Sequence, residues 1–300
     1  MKTIVIQNPY SSRWTSGQRR EEAEVALKTA GIEYDFVQSE GKGHAIELAS
    51  QAVKDGFQTI VAAGGDGTIG EVVNGIIQTS GKKTPPNLGV LPLGTANDLV
   101  HNLNLPTDLP GAAKVIAEGK TRKIDVCQVN DRYFINNAGL GLEPYTTTVQ
   151  EKMKRVQGNL RYILATLASI MKNPQWEGRL EWDDGEYEGP VTMVSIGNCA
   201  LTGGVFYTVP HARPFDGKLT FVFGAIRSRL KILQVLPRTM KPEEGNYVEH
   251  PAVHEHDCTW LKVKLNPGTP AHTDGELFSY DIQELEYKVH PAKLPILLGK

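Results

Sequence analysis

Thr59-Ile-Val-Ala-Ala-Gly-Gly-Asp-Gly-Thr-Ile-Gly-Glu71 decides the fold. The run Ile60 to Ala63 reads as a short buried strand. Gly64-Gly65-Asp66-Gly67-Thr68 breaks it, and Thr68 with Glu71 stands in capping-box spacing. That spacing predicts a helix beginning there and running through Val72, Val73, Ile76 and Ile77. Strand, glycine turn and helix start make an anion site, because glycines let backbone approach a ligand and unpaired N–H groups point toward it. The turn lacks the lysine of a P-loop. It carries Asp66 instead, whose charge repels a phosphate unless a divalent cation lies between them. A metal–nucleotide complex fits better than a bare phosphate.

A second junction follows. Leu88 to Leu93 reads as a strand, Gly94 as a turn and Thr95 as a cap with Asp98 three positions on. The helix predicted through Leu99, Val100 and Leu103 ends near Pro106. Each junction alone could be a capped turn without a ligand. Repetition, with a carboxylate in each first turn, argues for ligand binding at the carboxyl edge of a parallel sheet.

Outward from these junctions, residues 1–125 alternate strands and helices. Thr3–Gln7 and Tyr34–Gln38 read as strands; Ser16–Ala30, Ala45–Asp55 and Ala112–Glu118 read as helices. Arg122–Val129 turns back to strand character. The alternation predicts a doubly wound parallel sheet. Later, short strands and Asp-Gly turns take over, as in Arg179–Trp182, Val191–Gly197, Leu219–Phe223 and Trp260–Leu265. An antiparallel β-sandwich over 126–287 is expected there.

The chain has 300 residues and a formal net charge of −2, so nothing general draws it to nucleic acid or anionic membranes. Membrane contact would need a local patch. Cys127, Cys199 and Cys258 form no CxxC pair, which suits a reduced, cytoplasmic protein. The N-terminus enters a strand at once, arguing against a signal peptide, and Tyr162–Met171 is too short to span a bilayer.

Gly64-Gly-Asp-Gly-Thr68 followed by Pro92-Leu-Gly-Thr-Ala-Asn-Asp98 resembles the diacylglycerol kinase catalytic-domain family, in its soluble bacterial lipid kinase form. The likeness continues in order through Asn8-Pro9, Lys123-Ile-Asp125, Asn137 to Gly141, Gly197-Asn198, Gly203-Gly204, Pro210-His-Ala212, Phe215-Asp-Gly217 and Asp274-Gly-Glu276. It implies ATP and Mg2+ as cofactors, held in a cleft between domains, with a lipid hydroxyl as acceptor at the membrane surface. The tail, about 288–300, is expected to return to the first domain.

By that resemblance Asn8, Pro9, Tyr10, Ser11, Ser12, Ser39, Gly65, Asp66, Gly67, Thr68, Ile69, Gly70, Glu71 and Thr95 line the nucleotide site. Asp66, Asp98 and Asp125 take positions tied to catalysis or a magnesium network, and Asp125 could equally buttress its strand. A structural magnesium position falls on Arg213, Asp216 and Lys218. Arg and Lys could serve only through backbone carbonyls, and Asp216-Gly217 could be an ordinary turn. Glu276 is the implied general base. Asp184-Gly185-Glu186 is a second DGE in an acidic, hairpin-like stretch, and spacing alone does not choose between them.

Thr148 to Lys172 carries an apolar helical stripe, with Lys152, Lys154, Arg155 and Arg161 opposite. It either packs on the β domain or meets lipid headgroups with its basic start. His254 and His256 would share a strand face, without a recognised zinc spacing, and Gly81-Lys-Lys-Thr84 reads as a solvated loop. Departures from the family are Ser12 for a glycine, His44 for an acid and Glu143 for an aspartate. The expected protein is a cytoplasmic kinase that visits the membrane without spanning it, with a homodimer left open. A soluble NAD-kinase-like phosphotransferase and a non-catalytic lipid- or nucleotide-binding regulator are the alternatives.

Overall fold

A computed structural model describes residues 2–11, 19–153 and 158–299, with side chains from 164 onward in the helix that begins at Gly158. The chain divides into two units: Met1–Val126 with Arg132–Ile135 and His290–Lys300, and Cys127–Asp131 with Asn136–Val289.

In the first unit the elements run β1 (Thr3–Gln7), α1 (Arg20–Thr29), β2 (Tyr34–Gln38), α2 (His44–Lys54), β3 (Thr59–Gly64), α3 (Asp66–Ser80), β4 (Asn87–Pro92), α4 (Asp98–Asn102) and α5 (Leu109–Glu118). β5 (Thr121–Val129) and β6 (Arg132–Phe134) follow. The four main strands pair in parallel in the order β2-β1-β3-β4, as the alternation predicted. Ile296, near the C-terminus, pairs in parallel with Leu88 on the far side of β4. Val5, Val61, Ala63, Leu91 and Leu93 pack with Ala23 and Leu27 of α1 and with Ala112, Ala113 and Ile116 of α5. α2 and α3 pack on each other and contact β1 and β3. Burial of both faces is why β1, β3 and β4 read as largely continuous apolar runs.

The second unit holds β7 (Asn137–Gly141), α6 (Leu142–Lys152), α7 (Gly158–Lys172), β8 (Trp176–Trp182), β9 (Gly185–Val191) and β10 (Met193–Gly197). After β11 (Leu201–Thr202) and β12 (Phe206–Tyr207) come β13 (Leu219–Gly224), α8 (Arg229–Val235), β14 (Val253–Cys258), β15 (Trp260–Thr273) and β16 (Glu276–Leu297). Antiparallel pairing runs β14-β13-β10-β7-β15, and β15 also pairs with β8 and β16. The antiparallel second fold is thus as expected.

Several local expectations are corrected. The first helix is Arg20–Thr29 where Ser16–Ala30 was expected, and residues 16–18 lie outside the described residues. Thr148–Lys172 is not one helix, because α6 ends at Lys152 and α7 begins at Gly158. Lys154 and Arg155 of its basic side, and the side chain of Arg161, lie outside the described residues. His254 and His256 do share a face, packed on Phe223 and Phe221 across the ladder.

Candidate active site

The four loops that leave the carboxyl ends of β1, β2, β3 and β4 lie at one edge, since all four strands are parallel. That edge gathers most of the nucleotide residues expected from the sequence. After β1, Asn8 folds into an Asx turn: its Oδ1 accepts from the Tyr10 N–H at 2.9 Å, and Ser11 Oγ donates to its carbonyl at 3.0 Å. Ser12 lies outside the described residues. After β2, Ser39 is only 2% exposed, and its Oγ has no hydrogen-bond partner among the described residues. An orphaned buried hydroxyl is costly unless something is meant to meet it.

After β3, α3 starts at Asp66 with Gly65 as N-cap, two residues before the expected start, and no side chain caps it. The capping box does not form. Glu71 instead reaches the start of α2, accepting from Gly43 N–H at 2.8 Å and Ala45 N–H at 3.2 Å. The first N–H groups of α3 are thereby left to other partners. Gly65 and Gly94 press together so closely that a Cβ on Gly94 would lie 2.4 Å from the Gly65 Cα.

Thr95 is exposed and does not cap α4, whose N-cap is Asn97 in left-handed backbone, φ 51°. The cap comes from elsewhere: Asp66 accepts the N–H groups of Asp98 and Leu99, each at 3.0 Å. Burial holds the Asp66 carboxyl above its ordinary range, against the pull of the Leu99 and Asp98 N–H bonds. Asp98 is itself buried, 6% exposed. Asp66 therefore ties the two glycine junctions together. Asp125 is buried in the same unit and accepts the Ala292 N–H at 2.6 Å, a buttressing contact to the C-terminal segment.

In the second unit, Asp274 (φ 47°) and Gly275 (φ 79°) form the two-residue turn that joins Thr273 to Glu276. Both central residues have positive φ, as a type I′ hairpin turn requires. Asp274 Oδ1 accepts from Asn136 at 3.0 Å and Asn137 at 3.2 Å, which anchors the tip against the start of β7. Glu276 stands exposed beside this anchored turn. The other DGE differs: Glu186 is exposed and pairs with Arg179 at 3.4 Å across the β8–β9 hairpin.

At the expected structural magnesium position, Asp216 Oδ1 accepts the Lys218 N–H at 3.0 Å and Arg213 is exposed. Among the described residues, no three His, Cys, Asp or Glu side chains cluster to hold a metal. Sequence reasoning also missed a trio in which Ser195 and His272 are buried and Glu143 is half-buried. Glu143 Oε1 lies 3.1 Å from His272 Nε2, and Ser195 Oγ donates to Glu143 Oε2 at 2.9 Å. His272 sits two positions before Asp274 on a strand whose length was not read, so no local signal marked it.

The molecule matches known proteins along nearly its whole length. Residues 2–129 match the model of the diacylglycerol kinase catalytic domain. Residues 137–298 match the YegS C-terminal NAD kinase beta sandwich-like domain. A diacylglycerol kinase of Staphylococcus saprophyticus is 29% identical over 91% of this chain and 88% of its own length. One from Staphylococcus aureus strain JH9 is 29% identical, over 91% of this chain and 85% of its own. A diacylglycerol kinase crystal structure from Bacillus anthracis shares the fold, with a TM-score of 0.78 at 20% identity over 99% of this chain and 96% of its own. With both halves of the family's architecture present in order, this chain belongs to the diacylglycerol kinase catalytic-domain family of lipid kinases.

Proposed function

We propose that this protein is an ATP- and magnesium-dependent kinase that phosphorylates a lipid hydroxyl, with diacylglycerol the first candidate. The observation that carries the reading is the shared carboxyl edge of β1 to β4. On that edge lie the interlocked glycine junctions and, in the loop after β2, the buried Ser39 hydroxyl, which has no hydrogen-bond partner among the described residues. Residues of that edge fit a nucleotide: Asn8 to Ser11 and Ser39 from the first two loops, Gly65 to Thr68 and Thr95 from the junctions. The N–H groups of the first α3 turn face phosphate without needing a lysine. Magnesium suits a site whose acids act through water, because that ion gives up its shell reluctantly. When bound, the metal–nucleotide supplies the phosphoryl group.

In this reading Asp66 and Asp98 set the junctions and the water network, while Glu276 takes the proton of the acceptor hydroxyl. The first unit is the nucleotide domain and the second the lipid domain. Three buried cysteines that form no disulfide suit a reducing compartment such as the cytoplasm. No helix among the described residues is long and apolar enough to cross a membrane, so the lipid would be met at the bilayer surface.

The test is transfer of labelled γ-phosphate from MgATP into diacylglycerol, phosphatidylglycerol and a sphingoid base in mixed micelles, with NAD alongside. A labelled lipid establishes the reaction and names the acceptor. Label in NAD alone replaces the reading with a soluble phosphotransferase, and nucleotide binding without any product replaces it with a regulator.

A further inference from the structure

Ser39 is the first residue after β2, and both peptide groups that flank it are held. Its own N–H donates to the Gln7 carbonyl of β1 at 2.8 Å. The next peptide joins the Ser39 carbonyl to the Glu40 N–H, and a side chain holds it: Glu40 N–H donates to His44 Nδ1 at 2.9 Å. A residue's φ and ψ are set by the peptide planes on either side of it. These two bonds therefore fix the direction in which the buried Ser39 side chain leaves the backbone.

His44 stands on a firm base. It is the first residue of α2, and Glu71 of α3 accepts the N–H groups on either side of it, from Gly43 and Ala45. Its own N–H donates to the Gly41 carbonyl at 3.3 Å, and Gly43, at φ 85°, lets the chain double back toward Glu40. Glu71 closes this turn through backbone groups alone. What the imidazole adds is the hold on the Ser39–Glu40 peptide.

That hold has a chemical condition. A ring nitrogen accepts a hydrogen bond only with its lone pair free, so Nδ1 is bare and the neutral ring carries its proton on Nε2. The imidazolium has an N–H at both nitrogens and would set one of them against the Glu40 N–H. Histidine is the side chain that makes this change near neutrality. The charged groups at this end of α2 are Glu40 and Lys42 of the loop and Glu47 of the first turn. α3, packed against α2, offers Asp66 and Glu71, and β1, which α2 also contacts, carries no charge.

We propose that His44 is a positioning residue of the nucleotide site: its neutral ring fixes the Ser39–Glu40 peptide so that the Ser39 hydroxyl meets the bound nucleotide, and protonation of the ring releases that peptide and weakens binding. This deepens the ATP-dependent kinase reading and rests on it. It also gives a role to a histidine at the start of α2 that the sequence marked only as a departure from the family.

The experiment is calorimetric titration of the full chain with ATP and Mg2+ at about pH 8 and about pH 5.5, in the parent, H44N and H44A. In H44N the amide Oδ1 takes the place of Nδ1, accepts the Glu40 N–H and does not titrate. Because the nucleotide phosphates titrate as well, the readout is the ratio of each affinity to that of H44N at the same pH. The parent should match H44N within about twofold at the higher pH and fall about threefold to tenfold below it at the lower, the worth of one hydrogen bond. H44A should lie below H44N by a similar factor at both. In an S39A background H44A should cost little more, since His44 acts through Ser39. A parent-to-H44N ratio that does not change with pH overturns the proposal, as do losses in S39A and H44A that simply add. Glu40 amide exchange, read by NMR without nucleotide, should be slower in H44N than in H44A, and equal rates overturn the proposal too. Failure of the parent to bind ATP at either pH overturns the nucleotide reading and this role with it, whereas ATP binding with a pH-independent ratio overturns the role alone.

Discussion

The Asp66 carboxylate accepts the N–H groups of both Asp98 and Leu99, which makes one acid the mechanical link between two helix starts. An acid at this position was expected to speak to metal–phosphate charge. Its oxygens also hold α4 in place, so a change there would reshape the paired junctions. Burial raises its pKa from an ordinary value of 3.8. A raised carboxyl favours the protonated form in the folded state, so its contribution is full below the unfolded value and is lost as pH rises through the folded one. Relative to Asp66→Asn, the parent should therefore gain stability as pH falls from neutrality toward 4. Denaturant melts across that range would show it, and a pH-independent difference would count against the assigned cause.

Ser39 offers a cleaner separation of folding from binding. Its hydroxyl is buried with no hydrogen-bond partner among the described residues, so Ser39→Ala removes a cost rather than a contact. Stability should stay within about 0.5 kcal/mol of the parent or rise. ATP affinity, read by calorimetry, should fall about fivefold to tenfold, the worth of one hydrogen bond to a bound ligand. Unchanged affinity would remove Ser39 from the nucleotide site.

Glu276→Gln keeps the side-chain shape and removes the carboxylate proposed as the base. ATP binding should persist while lipid phosphorylation drops by at least ~100-fold. Because Glu276 lies on an anchored hairpin and is exposed, the change should leave the melting temperature nearly unmoved. Near-normal turnover would move the proton-accepting role elsewhere.

The legible parts of the molecule were those whose cause is local. β1 and the β3–β4 core strands read directly because burial on both faces leaves uninterrupted apolar runs, whereas β2, with Asp35 exposed in its middle, read only from Tyr34, Phe36 and Val37. β7 was legible only as a motif: Asn137 to Gly141 has weak strand propensity and becomes a central strand through its neighbours β10 and β15. The role of Glu71 was misplaced for a similar reason. Thr68 three residues before it suggested a local box, whereas its partners Gly43 and Ala45 lie 28 and 26 residues away. The same holds for Asp66, whose partners are 32 and 33 residues off. Spacing rules see within one turn of helix, and these acids act between elements.

Glu143 and His272 form a pair that no spacing connects, with side chains 13% and 5% exposed. Ser195 completes it, and a Cβ on Gly139 would reach within 2.5 Å of His272 Nε2. A largely buried acid of this kind is expensive to strand. Glu143→Gln and His272→Gln should each destabilise by about 1–3 kcal/mol, and a double-mutant cycle should give a coupling of at least about 1 kcal/mol. Additive effects would show that the two side chains are neighbours without a shared bond.

Gly94 tests the junctions by size alone, because its backbone is not in the left-handed region. A Cβ there would fall 2.4 Å from Gly65 Cα and 2.5 Å from Asn97 Oδ1. Asn97 both accepts from the Gly94 N–H at 3.0 Å and donates to its carbonyl at 3.2 Å, so neither neighbour can withdraw without breaking the turn. A Cβ on Gly65 meets Gly94 Cα at a milder 3.1 Å. Gly94→Ala should therefore cost about 1–3 kcal/mol, with Gly65→Ala costing less than about 1 kcal/mol. Both should weaken ATP binding in the same order, since one displacement moves both loops. Equal costs, or Gly65→Ala the worse of the two, would mean the loops separate more easily than their contact implies. The glycines would then serve ligand approach rather than the packing of loop on loop.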